Sequence, residues 1–475
     1  MNVKSTTVPP LDPNAAEPYY RQIYERFRGA INHGVLEPGD RIPSARALAQ
    51  ELGLARGTID AAYSLLAAEG YIQARGQAGT VVTPGLKPRA PVATPSARVQ
   101  VSEPPSFRPD SVLPFQMGLP ALDSFPRKIW ARLGARCVRA MQPSDMAHPP
   151  VYGLPGLRTQ IAGYLQVSRG IDCSPSQVFV TSGYRHTIGL IAHALLKAGD
   201  RVWLEDPGYP PTRQLLGHLN IAAVPVPVDN EGMVIHQAVK AAPRARAAVV
   251  TPAHQSPLCV SLSLRRRLAL LDWATRNQSL IIEDDYDGEY RYASRPLPAL
   301  KSLDRDGRVL YAGTFSKVLF PGIRLAYVVV PEALVERFGQ ISQAFAGSCP
   351  ELTQSIVTAF LEEGHFARHI QRMRKLYAER REATAAGLSG VLGKFMRVDP
   401  QPGGMHLVLR LQGQRSDRRL VARMLAEGLY GEALTDWTAQ GDGPPAVLLN
   451  FTNIDSQRTA ERHATRILEL VRGSR

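Results

Sequence analysis

Lys317 closes the run Gly313-Thr314-Phe315-Ser316-Lys317, and Arg324 follows seven residues later. A lysine after a small, hydroxyl-rich turn can form a Schiff base with a carbonyl, and an arginine so close can clamp a phosphate. Upstream lies Glu283-Asp284-Asp285-Tyr286, ending the apolar run Ser279-Leu280-Ile281-Ile282. That order places the carboxylates at the tip of a buried strand, where open α/β sheets hold their ligands. An aldehyde, a phosphate and a ring nitrogen in need of an anion are the three handles of pyridoxal phosphate. These residues offer a partner for each.

Several elements must position them. Thr181-Ser182-Gly183 follows the short apolar strand Val178-Phe179-Val180 and precedes an amphipathic helix reaching Leu196. The free amides of that helix start suit a phosphate, and Gly183 lets the backbone come close. Tyr209 follows the turn Asp206-Pro207-Gly208, which makes it either a ring stacked on a ligand or a core tyrosine. A carboxylate beside a pyridine nitrogen holds it protonated, and a phenol beside the ring hydroxyl stabilises a phenolate. Asp284 and Tyr286 fit those tasks, with Glu283 and Asp285 as alternatives for the first. Arg324 to Val330 reads as the next buried strand.

From about Phe115 to the C-terminus the chain resembles fold-type I pyridoxal-phosphate enzymes of the class I/II aminotransferase branch. The resemblance runs through Val151-Tyr152-Gly153-Leu154-Pro155-Gly156, Thr181-Ser182-Gly183, Glu205-Asp206-Pro207-Gly208-Tyr209-Pro210 and Thr251-Pro252-Ala253-His254-Gln255. It implies an α/β fold with a large and a small domain and pyridoxal 5'-phosphate as cofactor. Lys317 would carry the Schiff base, and Ser182, Gly183, Tyr184, Tyr209, His254, Asp284, Tyr286, Thr314 and Arg324 would bind the cofactor. The sequence departs from the pattern at Tyr184-Arg185, where a small residue and glutamine are commoner, and at Ser256-Pro257-Leu258-Cys259. It departs again at Leu448-Leu449-Asn450-Phe451, because Leu448 stands where transaminases carry the arginine that clamps the substrate carboxylate. Arg410 is a candidate substitute.

The first eighty residues read differently. Ile23, Phe27, Ala30 and Ile31 recur at helical spacing over Tyr19 to Glu37, closed by Pro38-Gly39. Ser44 can cap a helix from Ala45 to Leu52, Gly53 breaks it, and a second helix spans Arg56 to Glu69. Two short helices joined by a glycine turn form a helix-turn-helix. Gly70-Tyr71-Ile72 and Gly79-Thr80-Val81-Val82 bracket the polar turn Gln73 to Ala78 as a hairpin wing. This order resembles the winged-helix head of GntR-type repressors, and the resemblance implies that Arg46, Arg56, Gly57, Thr58 and Gly76 face DNA. Arg56 and Thr58 open the second helix, the end that meets base edges. Asp60 would repel phosphate unless it accepts a hydrogen bond from a cytosine amine.

The chain has 475 residues and a formal charge of +14, room for a small domain and a large one and a hint of a polyanionic partner. Residues 1–83 carry eight basic and eight acidic side chains, so the excess lies elsewhere and the DNA argument rests on motif order. Cys137, Cys173, Cys259 and Cys349 are scattered, which argues for a reducing, cytoplasmic setting and against a zinc site or a disulfide framework. No run approaches membrane-spanning length. Eight prolines between Pro84 and Pro114 mark a semi-extended linker. The expected domains are therefore 1–83, a winged helix-turn-helix; 84–114, the linker; and 115–475, the aminotransferase-like body.

A winged head joined by a Pro-rich linker to such a body resembles the MocR group of GntR regulators. The resemblance implies a transcription factor that binds a double-stranded DNA operator as a head-to-tail homodimer. It would sense an amine, an amino acid or vitamin B6 status through pyridoxal phosphate held as an aldimine on Lys317. Two other readings stand beside it: a working aminotransferase with an accessory DNA-binding head, and a repressor whose pocket has lost the cofactor. Leu448 speaks against the first, and the intact Asp284, Tyr286, Lys317 and Arg324 set against the second.

Overall fold

A computed structural model describes residues 11–13, 15, 17–76, 79–86, 112–292, 298–345, 349–399, 403–413 and 415–472. The chain divides into two compact units, residues 1–107 and 108–475. Residues 87–111, most of the expected linker, lie outside the described residues, as do Gln77 and Ala78 of the expected wing turn.

In the first unit, helix α1 (Tyr19–Asn32) buries Ile23, Phe27 and Ile31. It stops short of the expected Glu37 because Gly34 turns the chain at φ +72°. Ser44 Oγ accepts from the Ala47 amide at 3.2 Å to open α2 (Ala45–Leu52), and Gly53 ends it in the left-handed region. Helix α3 (Arg56–Ala68) packs on both. Strands β1 (Ile72–Ala74) and β2 (Thr80–Val82) pair antiparallel, with Ile72 opposite Val82. Ile23, Ile59, Leu66 and Val82 close the core, and Phe27 meets Tyr63 edge-on at 5.6 Å.

The second unit is built on an eight-stranded sheet. Its strands are β3 (Val178–Thr181), β4 (Arg201–Asp206), β5 (Ala222–Asp229), β6 (Gly232–Met233), β7 (Ala247–Val250), β8 (Leu280–Asp285), β9 (Val309–Thr314) and β10 (Ala326–Val329), in the order β3-β10-β9-β8-β7-β4-β5-β6. Neighbours from β5 through β4, β7 and β8 to β9 are parallel, while β10 runs antiparallel to both β9 and β3. Ala247–Val250 and Ala326–Val329 are buried throughout, as strands covered by helices on both faces must be. Helices α4 (Arg127–Ala140), α5 (Pro155–Arg169) and α6 (Tyr184–Leu195) belong to this layer.

A second, antiparallel sheet follows, with β11 (Met396–Val398), β12 (His406–Leu411), β13 (Glu432–Ala433) and β14 (Ala446–Asn450) in the order β11-β12-β14-β13. The long helix His365–Leu392 and the helix Gln457–Arg472 bury Tyr377, Leu388, Ala460 and Ile467 in the core they share with it. Among the described residues no helix is long and apolar enough to cross a membrane.

Candidate functional site

The C-terminal ends of β4, β7, β8 and β9 lie on one side of the large sheet, and a cavity of about 300 Å³ opens there. Lys317, Arg324, Thr314, Asp284, Tyr286 and Tyr209 all line it, together with Tyr184. That volume is at the lower end of the usual range for small-molecule sites.

Strand alternation sorts the carboxylates. As the sequence suggests, the carboxylates lie at the tip of a buried strand, and β8 runs through Asp285. Successive side chains therefore point to opposite faces. Glu283 accepts from the Leu300 and Lys301 amides at 2.7 and 2.8 Å. Asp285 accepts from Arg169 Nε and from the Tyr311 phenol, each at 2.6 Å, and from the Gly288 amide at 3.0 Å. Both are committed to the scaffold. Asp284, between them, faces the cavity and has no hydrogen-bond partner among the described residues. Burial pushes its carboxyl well above the usual range, and Asp285, Glu205 and Asp287 push it further, while Lys317 draws it down. A carboxyl in that state holds its proton and gives it up to a basic or cationic partner placed against it.

Lys317 follows β9 and donates from Nζ to the Gly118 carbonyl at 2.9 Å. Burial lowers its affinity for a proton, against the pull of Asp287, Glu432 and Asp284. Gly118 has φ +78°, and a Cβ there would stand 2.6 Å from Nζ, so only glycine leaves the amine its place. Arg324, in the left-handed region at φ +49°, lays its guanidinium against Gly183, where a Cβ would meet it at 3.0 Å. Gly183 itself, at φ +118°, opens α6, so the helix amides and the guanidinium form one anion cradle. Thr314 ends β9, and its Oγ1 accepts from the Ser316 amide at 3.1 Å.

Tyr286 is held from behind. His254 Nδ1 lies 2.9 Å from its phenol oxygen and 3.2 Å from Asp287 Oδ2. Burial pulls His254 down, but Asp287 and Cys259 together hold it well above the ordinary histidine range. His254 is thus outside the cavity wall and reaches it through Tyr286. Ser182 is also set back, with Oγ 3.0 Å from His186 Nδ1. Tyr209 is 39% exposed and so not a core tyrosine; its ring lies 5.7 Å from both Tyr184 and Trp437. Arg410 is a correction. Its Nε donates to Asp399 at 2.6 Å on β12, it is absent from the cavity wall, and it cannot replace an arginine at position 448.

The wall also holds residues that sequence reasoning passed over: Gly118, Glu432, Trp437, His406 and Asn450. Only Asn450 had a signal, its place two residues after Leu448 on the same strand face. Asn450 Nδ2 donates to the Gln116 and Leu119 carbonyls at 2.8 and 2.7 Å, which uses both its hydrogens. Leu448 is fully buried beside Val408, Leu434 and Trp437.

On the head, Arg46, Arg56, Gly57 and Gly76 are exposed and Thr58 is half-buried. Ala55 gives α3 no side-chain cap; the Thr58 amide turns back to the Ala55 carbonyl at 3.0 Å, which leaves the Arg56 and Gly57 amides for an acceptor. Gly57 has open space around the position of a Cβ. Asp60 pairs with Arg56 at 3.4 Å, which offsets its charge at that helix end.

Comparison with known proteins adds to this geometry. The family described as aminotransferase class I and II matches residues 118–444, and that described as bacterial regulatory proteins, gntR family, matches residues 19–82. The "Probable rhizopine catabolism regulatory protein MocR" of Rhizobium meliloti is 34% identical over 95% of this chain and 93% of its own length. The HTH-type pyridoxine biosynthesis transcriptional regulator PdxR of Corynebacterium glutamicum is 32% identical over 94% of each. Among solved structures, the α-aminoadipate aminotransferase LysN of Thermus thermophilus, complexed with N-(5'-phosphopyridoxyl)-L-leucine, has a TM-score of 0.69 and 28% identity, covering 76% of this chain and 92% of its own.

Proposed function

We propose, for a chain that belongs to the aminotransferase class I and II family by its body and to the gntR family of regulators by its head, that the body takes pyridoxal phosphate at Lys317 and uses it to register a small amine. The protein is a DNA-binding transcriptional regulator of the MocR type. When bound, pyridoxal phosphate supplies an aldehyde carbon that condenses reversibly with primary amines. Lys317 presents its amine to that carbon, and its lowered proton affinity favours the nucleophilic form. Asp284 receives the ring nitrogen, and Tyr286, oriented by His254, the ring hydroxyl. Arg324, Thr314 and the Gly183 turn hold the phosphate, while Tyr209 and Tyr184 wall the ring.

The single observation that carries this reading is the convergence of Lys317, Asp284 and Arg324 on one cavity while Glu283 and Asp285 are spent on the scaffold. With Leu448 buried and Asn450 saturated, neither of those positions offers a bidentate clamp for an α-carboxylate, so the site favours retention of a ligand over turnover. An amine that displaces Lys317 would bias the body between two conformations and so alter how the heads hold DNA. Arg46, Arg56, Gly57, Thr58 and Gly76 form the DNA face, and a head-to-tail homodimer would read two half-sites.

The test is the absorbance spectrum of purified protein before and after borohydride, with mass mapping of the reduced product. A visible chromophore and an adduct on the peptide holding Lys317 are expected. No chromophore after incubation with pyridoxal phosphate would overturn the reading.

A further inference from the structure

Once Lys317, Asp284, Thr314 and Arg324 are assigned to the cofactor, Arg185, His406 and Glu432 are the ionisable side chains of acid or base left on the cavity wall besides its tyrosines. Arg185 sits on the first turn of α6, and its guanidinium reaches the Tyr209 phenol and draws its pKa down against burial. Glu432 lies at the other sheet. In the antiparallel pair of β13 and β14 it stands directly opposite Leu448, so the two side chains share a face. One carboxylate oxygen accepts from the Tyr430 phenol and the other from the Trp437 indole, both at 3.1 Å. Both donors are neutral, each oxygen keeps lone pairs to spare, and no ion pair reaches Glu432 among the described residues. Burial raises its carboxyl above the usual range, against the pull of those two hydrogen bonds, His406 and Lys317. The Trp437 and Tyr209 rings beside it, 5.7 Å apart, offer π faces that attract cations.

Beside Glu432 the wall favours a cation over an anion. Leu448 brings no donor, and both hydrogens of the Asn450 amide are already given away. A carboxylate placed against Glu432 would meet its charge, while the nearby guanidinium, Arg185, is engaged with the Tyr209 phenol.

We propose that the effector is a primary amine without a carboxylate and with a second cationic group, an aliphatic diamine, whose far end is received by Glu432 between Trp437 and Tyr209. This rests on the reading of Lys317 given above. The covalent exchange at the near end belongs to that reading, and the new element is the non-covalent seat at the far end.

The experiment uses the full chain loaded with pyridoxal phosphate and three four-carbon probes: 1,4-diaminobutane, n-butylamine and 4-aminobutyrate. Each is titrated by cofactor absorbance and by calorimetry. The diamine should bind at least about tenfold more tightly than butylamine, roughly 1.4 kcal/mol, and 4-aminobutyrate more weakly than either. Glu432→Gln should bring the diamine down to the level of butylamine, and Glu432→Asp should keep part of the preference. The aspartate variant decides the matter if the glutamine variant does not fold. A tie between diamine and butylamine, a preference for 4-aminobutyrate, or a preference that survives Glu432→Gln would overturn the proposal while leaving the Lys317 reading intact. If no amine changes the spectrum and no adduct forms on Lys317, the function proposed above fails. Calorimetry then judges the Glu432 seat by itself, and no heat preference for the diamine would overturn that too.

Discussion

Replacing Asp284 by asparagine should stabilise the empty protein and weaken its hold on the cofactor. The carboxylate is buried, lacks a hydrogen-bond partner among the described residues, and faces the charges of Asp285, Glu205 and Asp287. Its proton affinity is raised in the fold, so its contribution to stability is fully present below the unfolded carboxylate pKa and is lost as pH rises through the folded value. Asparagine cannot ionise and escapes that loss. The gain should be about 0.5–2 kcal/mol, as when a functional strain is relieved. For a body of this size that is roughly 2–4 °C per kcal/mol or somewhat less. The cost falls on binding. A charge-assisted hydrogen bond to the ring nitrogen contributes about 1.5–3 kcal/mol, so affinity for pyridoxal phosphate should fall about ten- to a hundredfold. Melting of both empty proteins from pH 5 to 8 gives the first quantity, and cofactor titration by absorbance gives the second. The melting temperatures should converge toward the acid end and separate toward pH 8. An asparagine variant that is less stable at pH 8, or that binds the cofactor as tightly as the parent, would refute the reasoning.

Gly118→Ala sets a Cβ 2.6 Å from Lys317 Nζ, so adduct formation on Lys317 should fall about tenfold or more, read by borohydride trapping, with secondary structure unchanged by circular dichroism. Arg169→Met strands the buried Asp285, and also Glu289, whose carboxylate lies 3.1 Å from the guanidinium without hydrogen-bond alignment; chemical denaturation should report a loss of about 3–5 kcal/mol. Arg56→Ala should weaken binding to a duplex selected from random sequence by about 1–3 kcal/mol, whereas Asp60→Asn should tighten it, most at low salt, as measured by anisotropy.

Local chemistry made much of this legible. Ser44 and Gly53 bracket α2 because each satisfies a helix end, and those signals lie within a few residues of the element they define. Lys317, Thr314 and Arg324 come from one strand-turn-strand segment, so spacing alone brought them together. What stayed hidden depended on distant partners. Nothing near Glu283 or Asp285 announces the Leu300 amide or Arg169, so which of the three carboxylates stays free for a ligand could not be read from the sequence. Glu432 and Trp437 lie more than a hundred residues after Lys317 in a short strand and a loop, and only the small sheet brings them to the cavity. Arg410 misled for the converse reason, since Asp399 had already claimed its guanidinium.

The origin of the two walls bears on how a ligand could act. The cofactor half of the cavity is fixed by the ends of β8 and β9 and the start of α6, within the eight-stranded sheet and its helices. The opposite half comes from β13, β14 and the loop bearing Trp437, within the second sheet. A ligand bound only to the first half meets the same contacts whichever position the second sheet adopts, and equal affinity for two states shifts neither. Moving a two-state equilibrium from about 1:99 to 99:1 takes a differential of roughly 5.5 kcal/mol. One charge-assisted contact supplies about 1.5–3 kcal/mol, so a single seat at Glu432 moves the balance part of the way and the Trp437 and Tyr209 faces must add to it. A one-ended amine such as n-butylamine should therefore occupy the site, seen by absorbance, and leave DNA affinity nearly unchanged, while a diamine alters both. Equal effects of the two on DNA affinity would place the switch at Lys317 alone and remove the second sheet from it.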